Sequence, residues 1–314
     1  MKFIIGFSLL LLQIVASAQS IEDSISLVTA TGTIKGSLFV PAGKTTFPVL
    51  IVIAGSGSTD RYGNNPMGVK TDSYKMIAEA VTKENIAVLL FDKRGIAKSM
   101  GAVKTEADLR FDDYVDDVVQ WIQLLQKDKR VNGIFIAGHS EGSLIGMLAA
   151  QKIKVQGYIS VAGPARGIAE IIIEQYAQQL PQAAVEADSL FRRLKNNQLL
   201  DSVPPYIQSI FRPSVLPYIK SWMKYIPCDE IKKLTVATLI IQGGTDIQVA
   251  PSEATLLKKC KENASIILLD SMNHILKNAP INRAQNIATY SNPLLPLYPG
   301  LTAAIAAFIQ KNNK

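Results

Sequence analysis

Short runs of β-branched and other apolar residues recur along the chain, and Gly, Pro, Asn or Asp bound most of them. The runs are continuously apolar, which is typical of strands buried on both faces of a mainly parallel sheet. The predicted strands are residues 49–53, 86–91, 133–137, 157–161, 236–241 and 265–269. Residues 26–40 alternate in polarity around two glycines, and this pattern predicts an antiparallel hairpin at the sheet edge.

Segments with helical periodicity separate most of these runs. Residues 114–125 place apolar side chains at steps of three and four, as one buried face of a helix requires. Further helices are predicted at about 142–152 and 301–311. The alternation predicts the α/β class, with a doubly wound, mainly parallel sheet covered by helices on both faces.

Residues 165–233 interrupt the alternation, because they contain no convincing strand. Two helical stretches, 168–180 and 186–199, precede a Pro-rich part, and we predict a helical cap inserted into a core of residues 19–164 and 234–314. Several large side chains of the cap either line a substrate pocket or pack the cap onto the core. They are Tyr206, Phe211, Tyr218, Trp222, Met223 and Tyr225.

The first 18 residues have the pattern of a secretory signal peptide, with Lys2, an apolar stretch and then Ala16 and Ala18 before Gln19. We expect export to the periplasm or beyond the cell. No later window approaches about 18 apolar residues, so we expect no stable membrane insertion after cleavage. An oxidising compartment permits a disulfide between Cys228 and Cys260, but free thiols are equally compatible with the sequence.

Composition and charge exclude several classes of protein. With 48% hydrophobic and 19% charged residues, the chain is not intrinsically disordered. The formal net charge of +7 is spread among acidic residues and forms no basic stripe, so we expect no nucleic-acid partner. The sequence leaves the oligomeric state open.

The strongest chemical signal is the pentapeptide Gly-His-Ser-Glu-Gly at residues 138–142, which lies between a predicted strand and a predicted helix. In this G-x-S-x-G context, a sharp turn exposes the serine at its tip. Ser140 is therefore the predicted nucleophile.

A serine hydroxyl needs a base, and the chain has only two histidines. His139 adjoins Ser140, and neighbouring side chains in a tight turn point apart. His274 follows the predicted strand 265–269 and so lies at the sheet edge where catalytic groups gather. His274 is the predicted base.

The base needs a carboxylate that fixes its tautomer. Asp246 follows the strand 236–241 in a Gly-bearing loop, whereas the competitor Asp270 lies on the same loop as His274. We favour Asp246, because its loop supplies an independent strand end. The order Ser140, Asp246, His274 is also that of α/β-hydrolases.

An oxyanion hole requires two preorganised donors. One is the backbone amide of Glu141, the residue after the nucleophile. The other is expected in the Gly-rich loop after strand 49–53, with the amide of Ser56 preferred and those of Gly55 and Gly57 as alternatives.

The chain resembles the α/β-hydrolase superfamily, and within it secreted bacterial serine esterases. The matching segments cover most of the mature core and are residues 54–65, 92–99, 138–143, 243–246, 273–274 and 290–300. The resemblance implies hydrolysis of carboxylic esters without a metal or organic cofactor. It also suggests that Asp60, Arg61, Asp92 and Arg94 form structural ion pairs around the site.

The sequence therefore predicts a serine hydrolase that acts through an acyl-enzyme on small-molecule esters, with the cap selecting small or medium acyl chains. A serine peptidase or aminopeptidase, a lactonase and a thioesterase are alternatives, because the same triad serves all acyl transfers. A binding module without catalysis is the alternative outside the enzymes.

Overall fold

Eight strands form a single sheet in the computed structural model, which describes residues 21–313. They are β1 (Ile21–Thr29), β2 (Gly32–Val40), β3 (Phe47–Ile53), β4 (Ala87–Phe91), β5 (Val131–His139), β6 (Gly157–Val161), β7 (Ala237–Gly243) and β8 (Ser265–Leu269). Their order across the sheet is β1-β2-β4-β3-β5-β6-β7-β8. Only the pairings of β2 with β1 and with β4 are antiparallel.

This sheet confirms the predicted fold class. The predicted hairpin began at residue 26, but β1 begins at Ile21. In addition, β5 extends past residue 137 to His139, because His139 still pairs with Val161 of β6. Ser140 therefore follows the last paired residue of β5 directly, which shortens the turn that presents it.

Helices cover both faces of the sheet. They are α1 (Ser73–Thr82), α2 (Phe111–Leu125), α3 (Glu141–Lys152), α4 (Ile168–Gln179), α5 (Pro181–Lys195), α6 (Gln208–Phe211), α7 (Leu216–Trp222), α8 (Pro227–Lys232), α9 (Pro251–Cys260), α10 (Arg283–Ala288) and α11 (Leu301–Asn312). Alternate residues of β3 enter two separate apolar cores. Ile51 packs in the core that contains Trp121 of α2, and Leu50 packs in the core that contains Ile305 of α11. Burial on both faces explains why the strands are continuously apolar.

Residues 165–233 contain α4 to α8 and no strand. The second helix of this segment begins at Pro181 and ends at Lys195, so the predicted bounds of 186 and 199 were wrong. Proline is tolerated in the first turn of a helix, because the N–H that it lacks would have no intrahelical partner there. The apolar periodicity alone did not reveal this start.

Two aromatic residues of α7 pack onto α2, whereas Tyr206 is exposed. The ring of Trp222 stacks on Phe111 of α2, with centroids 5.2 Å apart, and Tyr218 meets Tyr114 of α2 edge-on at 5.7 Å. A disulfide between Cys228 and Cys260 joins α8 to α9. The structure thus pairs the two cysteines whose state the sequence left open.

Among residues 21–313, no helix combines the length and the apolar character that crossing a bilayer requires. The predicted signal peptide, residues 1–18, lies outside the described residues.

Candidate active site

Ser140 occupies a strained turn between β5 and α3. Its φ of 54° and ψ of −120° are unusual for a residue with a side chain. The flanking glycines permit this turn. A Cβ on Gly138 would lie 2.1 Å from the carbonyl oxygen of Gly142, and one on Gly142 would lie 2.3 Å from that of Ile53. The sequence folds this way because only glycine fits at both positions, and the result is a serine held at the carboxyl end of the sheet.

Asp246 follows β7 and His274 follows β8, so both come from neighbouring strand ends. Their side chains are buried, and His274 Nδ1 lies 2.8 Å from Asp246 Oδ2. A carboxylate can only accept, so Nδ1 carries the hydrogen and Nε2 of the neutral ring keeps a lone pair that can take a proton. The pair has the chemistry of a general base with its orienting acid.

The Asp246 carboxylate is fully bonded within the protein. Oδ1 accepts the backbone N–H groups of Gln248 and Val249 at 2.8 and 2.9 Å, and Oδ2 also accepts from Gln242 Nε2 at 3.1 Å. These bonds fix the carboxylate in place. The competing Asp270 is exposed and makes no hydrogen bond to His274.

Ser140 and His274 line one cavity of about 110 Å³. Its other walls come from the loop after β3 together with the start of α1, from His139, from Gln248, and from residues 275, 276 and 290. The hydrogen bonds within residues 21–313 include none between Ser140 Oγ and His274, and catalytic contacts often tighten only when substrate binds. No residue of 165–233 lines this cavity. None of the large side chains proposed for the cap lines this cavity, and Tyr218 and Trp222 follow the packing alternative, whereas Tyr206 is exposed.

The loop after β3 touches the nucleophile directly. A Cβ on Gly55 would lie 3.2 Å from Ser140 Cβ. The amide of Gly55 donates to Tyr74 Oη at 3.3 Å, whereas those of Ser56, Gly57 and Glu141 donate to no protein acceptor among the described residues. Glu141 begins α3, where the first amides lack intrahelical partners. The amides of Glu141, Ser56 and Gly57 are thus unpaired among the described residues, whereas that of Gly55 is engaged.

His139 belongs to the site as a neutral, fully bonded ring. Its Nε2 donates to the carbonyl oxygen of His274 at 2.8 Å, so its Nδ1 must accept the hydroxyl proton of Tyr74, 2.7 Å away. Burial, together with the nearby His274, lowers the pKa of His139 to about 3. Because both nitrogens are engaged, His139 cannot receive the Ser140 proton, and its contact with the His274 backbone holds the loop of the base.

The ion pairs suggested by the resemblance are present in part. Arg61 and Asp92 form a buried pair at 2.6 Å, and Arg94 donates from Nε to Asp117 at 2.9 Å. Asp60 forms no ion pair among the described residues and instead accepts the backbone N–H groups that follow it in the loop.

Sequence reasoning missed four residues at the site, namely Tyr74, Lys93, Gln248 and Tyr290. Lys93 and Gln248 do lie in loops at strand ends, which is a weak signal. Tyr74 lies in the first turn of α1, and Tyr290 follows α10. No local sequence pattern indicates that either tyrosine belongs to the site. Across residues 21–313, no group of three His, Cys, Asp or Glu side chains is arranged to hold a metal ion.

Comparison with known proteins shows the family of the chain. The family model described as serine aminopeptidase, S33, matches residues 67–280, a span that contains Ser140, Asp246 and His274. Esterase EstD from Thermotoga maritima is 26% identical over 251 residues, which are 77% of this chain and 57% of that protein. The chain thus spans little more than half the length of this relative.

Two solved structures share the fold. Est1E from Butyrivibrio proteoclasticus is 16% identical with a TM-score of 0.58, and the match covers 92% of this chain and 98% of that one. The Pyrococcus furiosus esterase Pf2001 is 14% identical with a TM-score of 0.60, over 94% and 92% of the two chains. At such low identity, these likenesses describe the architecture alone.

Proposed function

Because the chain belongs to the serine aminopeptidase S33 family, we propose that it is a serine hydrolase of carboxylic esters with small or medium acyl groups. The observation that carries the proposal is the 2.8 Å hydrogen bond between His274 Nδ1 and Asp246 Oδ2, beside the cavity that Ser140 lines. The similarity to an esterase supports the same reaction class.

The proposed reaction has two steps. Ser140 Oγ attacks the ester carbonyl while His274 Nε2 takes its proton, and the amides of Glu141 and Ser56 bind the oxyanion. The intermediate collapses when His274 gives the proton to the leaving alcohol. Water then loses a proton to His274 and attacks the acyl-enzyme, and the proton returns to Ser140 as the carboxylic acid leaves.

The small volume of the cavity supports the proposal that the acyl group is short. A volume of about 110 Å³ is small compared with ordinary ligand pockets of roughly 300–1,000 Å³. The aliphatic side chains that line it are those of Val69, Ile275 and Leu276. All three lie outside the cap, residues 165–233. We therefore assign acyl selection to the loop after β3 and to the loop of His274.

Aminopeptidase activity is the second candidate, because the description of the matching family names it. An aminopeptidase must bind the ammonium group of its substrate, usually with a carboxylate. The cavity beside Ser140 has no Asp or Glu among its lining residues, all of which lie in the described part of the chain. This lining favours esters.

Hydrolysis of p-nitrophenyl esters from acetate to decanoate, by residues 19–314, tests the proposal. We expect the highest kcat/KM at the short end and a loss of at least about 10⁴-fold in Ser140→Ala, because the nucleophile is removed. Aminoacyl p-nitroanilides should be poor substrates. If these amides were cleaved faster than every ester, the peptidase would be the better assignment. Failure of a fluorophosphonate to label wild-type protein would reject both.

We also propose that the protein is exported. The pattern of residues 1–18 supports this, and so does the Cys228–Cys260 disulfide, because disulfides persist mainly in oxidising compartments. The mass of the protein recovered from its native cell should correspond to a chain that begins at Gln19. A cytoplasmic protein that retains Met1 would contradict export.

A further inference from the structure

Lys93 is a buried lysine directly behind the loop that follows β3. Its side chain is 2% exposed. The ammonium group donates to the carbonyl oxygen of Gly55 at 2.7 Å, pairs with the carboxylate of Glu141, and lies 4.7 Å from the ring centroid of Tyr114. A buried ammonium is costly to desolvate, and here every side of it faces a carbonyl, a carboxylate or an aromatic ring.

The bond to Gly55 bears on the oxyanion hole through the geometry of the peptide group. The carbonyl of Gly55 and the N–H of Ser56 belong to one peptide unit, and residues 21–313 contain no cis peptide. In a planar trans peptide, these two groups point in opposite directions. When Lys93 holds the Gly55 oxygen, it therefore turns the Ser56 N–H to the opposite side.

The preceding peptide unit, between Ala54 and Gly55, is held as well. The N–H of Gly55 donates to Tyr74 Oη at 3.3 Å, and the Cα of Gly55 faces Ser140 closely enough that a Cβ would lie 3.2 Å from Ser140 Cβ. With Tyr74 on one side and Lys93 on the other, the loop next to the nucleophile has little freedom to rotate.

Lys93 also contacts the residue that provides the second donor. The Glu141 carboxylate accepts from Lys93 and from the hydroxyl of Tyr218 on α7, while the amide of Glu141 begins α3 beside Ser140. A single ammonium group therefore joins the Glu141 side chain to the Gly55 carbonyl, whose peptide unit also carries the Ser56 N–H.

We propose that Lys93 is a positioning residue that fixes the direction of the Ser56 N–H bond in the oxyanion hole. The inference rests on the proposed hydrolase function. Lys93 acts through the Gly55 peptide and touches no substrate. A misaligned donor weakens binding of the transition state more than binding of the substrate, so loss of Lys93 lowers kcat and leaves KM nearly unchanged.

The test compares two double variants that each remove one buried ion pair. Lys93→Met alone would leave the Glu141 carboxylate buried without a partner and could prevent folding. Lys93→Met with Glu141→Gln removes both charges and keeps the backbone amides. Arg94→Met with Asp117→Asn removes the adjacent buried pair, which makes no hydrogen bond to Gly55, and serves as the matched control.

We expect kcat on p-nitrophenyl acetate to fall about 10- to 100-fold in the Lys93 double variant, with KM within about threefold of wild type and the control near wild type. Affinity for a boronic acid, which binds as a tetrahedral adduct, should fall by the same factor as kcat/KM. A loss no larger than the control shows, or one confined to KM, would overturn the proposal.

The result separates the two proposals. Wild-type protein that neither hydrolyses esters nor reacts with a fluorophosphonate would overturn the proposed function, and the role of Lys93 with it. Wild-type protein that reacts, beside a Lys93 double variant that is labelled equally fast, would overturn only the role of Lys93.

Discussion

The loops at the carboxyl end of the sheet and the helical cap hold their side chains in different ways. In the loops, hydrogen bonds fix each group, as when the Asp246 carboxylate accepts from Gln242, Gln248, Val249 and His274. In the cap, apolar contacts dominate, such as the stacking of Trp222 on Phe111. Hydrogen bonds are directional and apolar burial is not. We therefore expect the catalytic chemistry to depend on the hydrogen bonds of the loops. The stability of the cap should depend mainly on apolar packing.

One side chain crosses between the two regions. Tyr218 of α7 donates to the Glu141 carboxylate at the start of α3, and burial raises the pKa of this tyrosine well above its usual value, so it remains a donor. The cap thus reaches the residues behind the nucleophile even though it leaves the cavity beside Ser140 unlined.

The largest effect is expected from Asp246→Asn. An amide in place of the carboxylate favours the wrong tautomer of His274, so kcat/KM should fall by about 10⁴-fold, which corresponds to about 5.5 kcal/mol. Ester hydrolysis measures this directly. Asp270→Asn is the matched control, since that carboxylate is exposed on the same loop as His274 and should leave the rate within about twofold of wild type. Equal losses in the two variants would remove the distinction between the buried acid and its competitor.

The next effect separates packing from selectivity. Trp222→Ala should lower the free energy of unfolding by about 3–5 kcal/mol, because it deletes a buried ring that stacks on Phe111. The preferred acyl length should not change, since no cap residue lines the cavity. Urea unfolding and the ester series provide the two measurements.

Val69→Ala is the counterpart of that variant in the loops. Val69 is half-buried and lines the cavity, so its truncation should shift the preference toward longer acyl chains at little cost in stability. If Trp222→Ala moved the preference and Val69→Ala did not, acyl selection would belong to the cap after all.

The smallest of these effects concerns acid stability. Burial lowers the pKa of His139 from 6.5 to about 3, so the unfolded chain binds more protons than the native chain between these values. The contribution of His139 to the free energy of unfolding is fully present above pH 6.5, and it is lost as the pH falls toward 3. Wild-type protein should therefore lose about 2–4 kcal/mol more stability than His139→Gln between pH 7 and pH 4. Urea unfolding of both proteins at pH 7 and pH 4 measures this difference. If wild type and His139→Gln lost the same stability between these pH values, His139 would not be held neutral in the native protein.

Much of the fold was predictable because the information is local. Each core strand is a continuous apolar run between turn residues, and burial on both faces explains the pattern. The signal for Ser140 is also local, because the strand before it, the two flanking glycines and the helix after it are contiguous in the sequence. Asp246 and His274 were predictable because parallel strands bring their carboxyl ends to one edge, and because the chain has only two histidines.

The amino-acid sequence alone thus determined the α/β architecture and the candidate nucleophile, acid and base. Only the tertiary structure decided that Tyr218 and Trp222 pack on α2, that Cys228 pairs with Cys260, and that the Gly55 amide donates to Tyr74. It alone also placed Lys93 against Gly55 and Glu141, which lie 38 and 48 residues away in the chain. Periodicity reports which face of an element is buried. It does not report which distant side chain fills the space behind that face, because this depends on how separate elements pack.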